Sequence, residues 1–174
     1  MLTRSYFAAL PIAHAVLRVL IALNWLMGAA ILALLAAMAN TEWIMSAFEI
    51  STWPQADRLV WGLRAIAMVG LVTIPLNHSI LARLLTMVGT VRAGDPFVAS
   101  NARRLQVIAF ALLALQLLGL VIAGIAKTVS TPAHPLDLDA GFSINGWLAV
   151  LLTFVLARVF AEGADMRADL EGTV

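Results

Sequence analysis

The chain has 174 residues, 62% of them hydrophobic and 12% charged, with a mean hydropathy of +0.95 and a net charge of +1. A soluble domain is roughly 45–50% apolar, and here the apolar residues gather in runs near the ~20 residues that cross a bilayer. An ordinary soluble core is therefore excluded, a basic nucleic-acid footprint is missing, and the absence of cysteine removes disulfides, thiolate metal sites and a Cys nucleophile.

The first predicted span is Val19–Ala39, interrupted only by Asn24. Arg4 and Arg18 precede it, and "AMA" before Asn40 resembles a signal-peptidase site. The run is longer than the roughly 7–15 residues of a signal-peptide core, so a retained helix is expected. In the following loop, Asn40–Leu59, the aromatics Trp43, Phe48 and Trp53 favour the headgroup layer. They predict a short interfacial helix ended near Pro54.

The second span covers about Trp61–Ala82 and carries Arg64, Pro75, Asn77 and His78. Next comes "RAGDPFVASNARR", Arg92–Arg104. Gly94 suits a helix end. Asp95 followed by Pro96 suits a helix start, because Asp accepts from orphan amides and Pro has none to orphan. The third helix is thus predicted to begin near Pro96, well before its apolar run Leu105–Ala126, which includes Gln106 and Gln116. Thr128–Gly141, with Pro132 and Pro135, reads as an irregular loop. The fourth span, about Phe142–Phe160, is closed by Arg158 and followed by a helical tail over 161–174.

The predicted fold is all-α, a four-transmembrane-helix bundle with cytoplasmic helix extensions. Eight basic residues (Arg4, Arg18, Arg83, Arg92, Arg103, Arg104, Arg158 and Arg167) fall on one side, against Arg58 and Lys127 on the other. The positive-inside bias then makes both termini and the middle loop cytoplasmic. A weak internal repeat relates "LARLLTMVGTVRA", Leu81–Ala93, to "LARVFAEGADMRA", Leu156–Ala168. In both stretches a helix is expected to continue past the membrane.

In the tail, Phe160, Gly163, Met166 or Arg167, and Leu170 recur at helical spacing, with Glu162, Asp165 and Asp169 on another face. Arg158 with Glu162, and Arg167 with Glu171, form i, i+4 pairs. The stripe predicts that Phe160 and Leu170 dock near Phe97 and Leu105, with Gly163 permitting close approach. A solvated end that only covers the loop arginines is the bland alternative.

The stretches "GDPFVASNARRLQVIA" and "LARVFAEGADMRADLEGTV" resemble the two signatures of the bacterial domain-of-unknown-function family 2975. The matching residues are Gly94, Pro96, Phe97, Asn101, Arg103, Arg104 and Leu105, then Val159, Phe160, Gly163, Met166, Leu170, Thr173 and Val174. Met166 stands where Leu is usual, and Gly172 before Thr173 is a second departure. The resemblance implies a small integral protein of the bacterial inner membrane with no established activity. Members are often encoded beside small helix-turn-helix regulators, which implies membrane sequestration of such a regulator.

Candidate sites are few. On the cytoplasmic side, Arg92, Arg103, Arg104, Glu162, Asp165, Asp169 and Glu171 offer both charge signs to a partner. Within the spans, Asn24, Arg64, Asn77, His78 and Gln116, together with Gln106 and Thr153, are polar. Such groups ordinarily link helices, and collectively they can line a cavity. Arg64 lies near the outer end of its span, where its head can reach the interface and Asp57 or an acid of the second outer loop can pair with it. His14 and His78 suggest a haem or metal pair, but no third ligand is evident and neither a cofactor nor a metal is expected. The Ser-His-Asp, HExxH, P-loop and GxGxxG patterns are absent, so an enzyme is not expected.

Two functions remain. One is a membrane adaptor or sensor that binds a cytoplasmic helix-turn-helix regulator. The other is a receptor or transporter for a small ligand or lipid, in which Pro75 breaks the second helix. Four helices leave little room for a pathway, so that second function requires a homo-oligomer.

Overall fold

In a computed structural model, residues 3–39, 42, 45, 56–130 and 141–171 are described, the side chains of 3–9, 56 and 171 excepted. They hold four helices and no strand: α1, Thr3–Ala37; α2, Ala56–Arg92; α3, Ala99–Val129; and α4, Ile144–Glu171. The expected interfacial helix around Trp43, Phe48 and Trp53 lies outside the described residues, as does most of the Thr128–Gly141 loop.

Each helix contains a stretch long and apolar enough to cross a membrane. With 28 to 37 residues apiece, the helices measure roughly 42–56 Å at 1.5 Å per residue. That exceeds the ~30 Å hydrocarbon layer, so each helix runs past its apolar stretch. Large apolar side chains face outward, including Leu23 and Leu26 on α1, Phe110 and Leu117 on α3, and Leu151 and Val155 on α4. A soluble protein would pay for such a surface with aggregation, whereas lipid is as apolar as leucine. The chain is a multi-pass membrane protein.

Two sequence expectations change. Pro75 does not break α2, which continues from Ala56 to Arg92. Proline removes one amide from the helical ladder, and the neighbouring turns retain theirs, so the helix passes through. Pro11 likewise lies inside α1. The third helix begins at Ala99 rather than near Pro96. Residues 95–98 are non-helical, and the first bond of the new helix runs from the Asn101 amide to the Val98 carbonyl at 2.8 Å. Asp95 is engaged elsewhere, as described below.

The chain divides into two compact units. One comprises Trp25–Pro75 and Leu115–Ser143. There Met38 and Val60 are buried, with Met45, Leu59 and Leu63 packed against them. α2 and α3 meet closely at Gly62, where a Cβ would clash with Cγ1 of Val129. Arg64 donates to the Met38 carbonyl, and its guanidinium lies 5.2 Å from the centre of the Trp61 ring. The charge is thus carried by a helix-end carbonyl and an aromatic face.

The other unit comprises Met1–Asn24, Leu76–Ala114 and Ile144–Val174. Its buried residues are mostly small, including Ala102, Ala109, Ala157 and Ala164, with Leu105 and Ile108. Small side chains let helix backbones approach closely where hydrophobic exclusion from water is not available as a driving force. Phe110 and Phe154 meet edge to face, with centroids 5.1 Å apart, a favoured aromatic geometry.

Candidate functional site

The connection between α2 and α3 is built by two local devices. α2 ends at Arg92, and Gly94 follows in the left-handed region, at φ 85°. The Asp95 amide bonds back to the Thr90 carbonyl and the Gly94 amide to the Val91 carbonyl, each at 3.1 Å. This paired closure satisfies carbonyls that the helix end leaves open, and glycine adopts the required φ without strain. Gly94 therefore ends α2, as its position in the sequence predicts.

The second device is Asn101, which is fully buried. Its Nδ2 donates to Thr90 Oγ1 and to the Pro96 carbonyl, both at 2.8 Å. Its Oδ1 accepts from Arg104 Nη1 at 2.7 Å. Thr90 in turn donates to the Met87 carbonyl at 2.8 Å. Both amide protons and the oxygen of Asn101 are used, so a buried polar side chain ties the end of α2, the connection and the start of α3 together.

The tail of α4 closes on this connection. The Phe97 and Phe160 rings lie 5.3 Å apart, tilted by 35°. A Cβ at Gly163 would lie 2.9 Å from Cδ1 of Phe97, so any larger residue there would force the ring to shift. One turn further, Arg167 pairs with Asp95. Arg167 was expected to pair with Glu171, whose side chain lies outside the described residues. The docking expectation therefore holds for Phe160, Gly163 and Phe97, and fails for Leu170, which is 71% exposed. The physical reason is angular. At about 100° per residue, Phe160, Gly163, Ala164 and Arg167 share one face of α4, whereas Leu170 sits at its margin. Glu162, Asp165, Met166 and Asp169 form the opposite face, and all four are exposed.

Beside this clasp, α3 and α4 enclose a groove of about 410 Å³, with Arg103, Arg158 and Asp165 among its lining residues. A second hollow, of about 300 Å³, shares Ala99 and Asp165 with it and reaches Asp95 and Arg167. Arg158 pairs with Glu162 at 2.8 Å, the expected i, i+4 contact.

The candidate residues thus separate by role. Arg103, Asp165 and Glu162 are exposed around the groove. Arg92 and Asp169 are exposed at or near helix ends, and Glu171 is the last residue of α4. Arg104 is turned to Asn101 and serves the connection. Of the intramembrane group, Asn24, Asn77 and His78 belong to one unit and Arg64 and Gln116 to the other. None of these five lines either groove. His14 Nδ1 is a buried atom without a hydrogen-bond partner among the described residues, and no three potential ligands cluster there.

Sequence reading missed the hub role of Asn101. Its only signal was an Asn flanked by a Pro-Phe turn and two arginines, just ahead of an apolar run. A solvated helix start has the same appearance. Asp95 reads as a cap because caps are local, whereas its partner lies 72 residues away.

No curated protein and no solved structure matches the chain. A family model described as "Protein of unknown function (DUF2975)" matches residues 44–174, a span that contains the connection, the Asn101 hub and the clasped tail. The chain belongs to this family.

Proposed function

We propose that the protein is a membrane adaptor of the bacterial inner membrane that docks a cytoplasmic helix-turn-helix regulator. Both termini and the 93–98 connection are then cytoplasmic, in keeping with the eight-to-two distribution of basic residues. The observation that carries the reading is the two-faced tail of α4. One face is held by Phe97 and Asp95. The other presents Glu162, Asp165 and Asp169 beside Met166, which is 63% exposed. Acids around an exposed apolar side chain suit a basic, amphipathic partner helix. A helix-turn-helix regulator carries such a basic surface where it reads DNA, so docking here would compete with DNA. In this reading the protein binds and does not catalyse.

The test is co-purification from membranes with a small helix-turn-helix regulator encoded beside the gene. Deleting Arg167–Val174, or replacing Asp165 and Asp169 together by Asn, should abolish co-purification, and excess operator DNA should release the regulator. Single cysteines at Thr3, Ala99 and Gly172 should resist an impermeant thiol reagent in intact cells, while one at Ser130 should label. Co-purification unchanged by either tail variant, or labelling of Ala99→Cys from outside, would refute the reading.

A further inference from the structure

The larger groove between α3 and α4 holds a mixed-charge arrangement, of which partner docking uses only Asp165. Its floor is made of Ala99 and Ala102 on α3 and Ala157 and Ala161 on α4. Because all four positions carry only a methyl group, the space between the helices stays open. About 410 Å³ lies at the lower end of small-molecule sites, which run roughly 300–1,000 Å³. It suits a polar headgroup better than a whole lipid.

Its level is set by the sequence. The apolar run of α3 starts at Leu105, and Arg158 closes the apolar run of α4. Arg103, Arg158 and Asp165 thus lie at the polar end of the groove, while Gln106 and Phe154 line it toward the apolar runs. One turn beyond Gln106, exposed Phe110 on α3 continues along the lipid-facing surface, where an acyl chain would run.

The charges define the ligand. Arg158 is paired with Glu162. Among the described residues, neither Arg103 nor Asp165 takes part in an ion pair. One cation and one anion therefore remain at the same groove. A phosphodiester suits the guanidinium of Arg103, which donates charge-assisted hydrogen bonds in a planar fork. A primary ammonium suits the carboxylate of Asp165. We propose that this groove binds the headgroup of a zwitterionic membrane phospholipid bearing a primary amine, phosphatidylethanolamine in class, with phosphate toward Arg103 and ammonium toward Asp165. A choline headgroup cannot donate a hydrogen bond to Asp165, and a glycerol headgroup offers no cation.

The site shares Asp165 with the adaptor reading, but no groove-lining residue falls within Arg167–Val174, so the tail deletion tests the adaptor reading alone and lipid selectivity tests the groove alone. The test is native mass spectrometry of the full chain in detergent, titrated with phosphatidylethanolamine, phosphatidylcholine and phosphatidylglycerol of matched acyl chains, and with soluble glycerophosphoethanolamine. One phosphatidylethanolamine should bind about tenfold more tightly than the other two lipids, the size of one charge-assisted hydrogen bond. Asp165→Asn should abolish that preference while phospholipid binding persists. Arg103→Gln should weaken all three lipids, and Arg18→Gln, away from the groove, should change nothing. Equal binding of the three lipids, or a preference that survives Asp165→Asn, would overturn the proposal. Soluble glycerophosphoethanolamine binding as tightly as the lipid would overturn it as a membrane-lipid site.

Discussion

Replacing Asn101 by Ala removes the three hydrogen bonds that hold the α2–α3 connection: two donated to Thr90 Oγ1 and the Pro96 carbonyl, and one accepted from Arg104. A neutral hydrogen bond contributes about 0.5–1.5 kcal/mol net and one to a charged group about 1.5–3 kcal/mol. The simple sum overstates the loss. Arg104 is only half-buried and can return to water, and Thr90 keeps its own bond to the Met87 carbonyl. Roughly 2–4 kcal/mol of local stability should be lost, with the Pro96 carbonyl left short of its donor. At tenfold per 1.4 kcal/mol, that is about 30- to 1,000-fold in local opening. Hydrogen exchange in lipid nanodiscs reads it at the amides of Gly94, Asp95 and Asn101, each of which bonds across this turn. Asn101→Asp should lose at least as much, because an ionised carboxylate keeps the Arg104 contact but cannot donate to Thr90 Oγ1 or the Pro96 carbonyl and is a charge at a fully buried position. Since Asp95 and Phe97 also hold the tail, Asn101→Ala should speed protease removal of the end of α4 as well. Exchange at these amides within about threefold of the parent protein, well under the tenfold that 1.4 kcal/mol represents, would refute the hub assignment.

Two further outcomes are expected. Phe160→Ala should free the tail, losing the ring contact, which contributes about 0.5–1.5 kcal/mol beyond area burial, whereas Leu170→Ala should not, because Leu170 is exposed; equal proteolysis rates for parent and Phe160→Ala would show that the clasp does not hold. Gly62→Ala should lower the midpoint of thermal unfolding in detergent, since a Cβ driven against Val129 costs about 1–3 kcal/mol of overpacking against about 1 kcal/mol gained in helix propensity. Val129→Ala in the same chain should restore most of the loss, and an unchanged midpoint for Gly62→Ala alone would contradict the close approach.

The sequence by itself determined that the chain is all-helical and crosses the membrane with four apolar helices. Those properties follow from run length and composition, which act locally: a backbone in hydrocarbon must satisfy its own hydrogen bonds, and a helix does so within one segment. The stop at Gly94 was legible for the same reason, since a left-handed closure needs only its own few residues. The docking of Phe160 and Gly163 was partly legible, because helical spacing places them on one face. Tertiary structure decided the rest. Asp95 reads locally as a cap, yet it pairs with Arg167, and the third helix starts at Ala99. Leu170 follows the spacing of the stripe but stays exposed, since spacing sets a face and only the neighbouring helix sets how far contact extends along it. Asn101 is indistinguishable in sequence from a solvated polar residue. Its role exists only because Thr90, Pro96 and Arg104 converge on one buried amide, and such convergence is a property of packed helices that no single stretch of sequence contains.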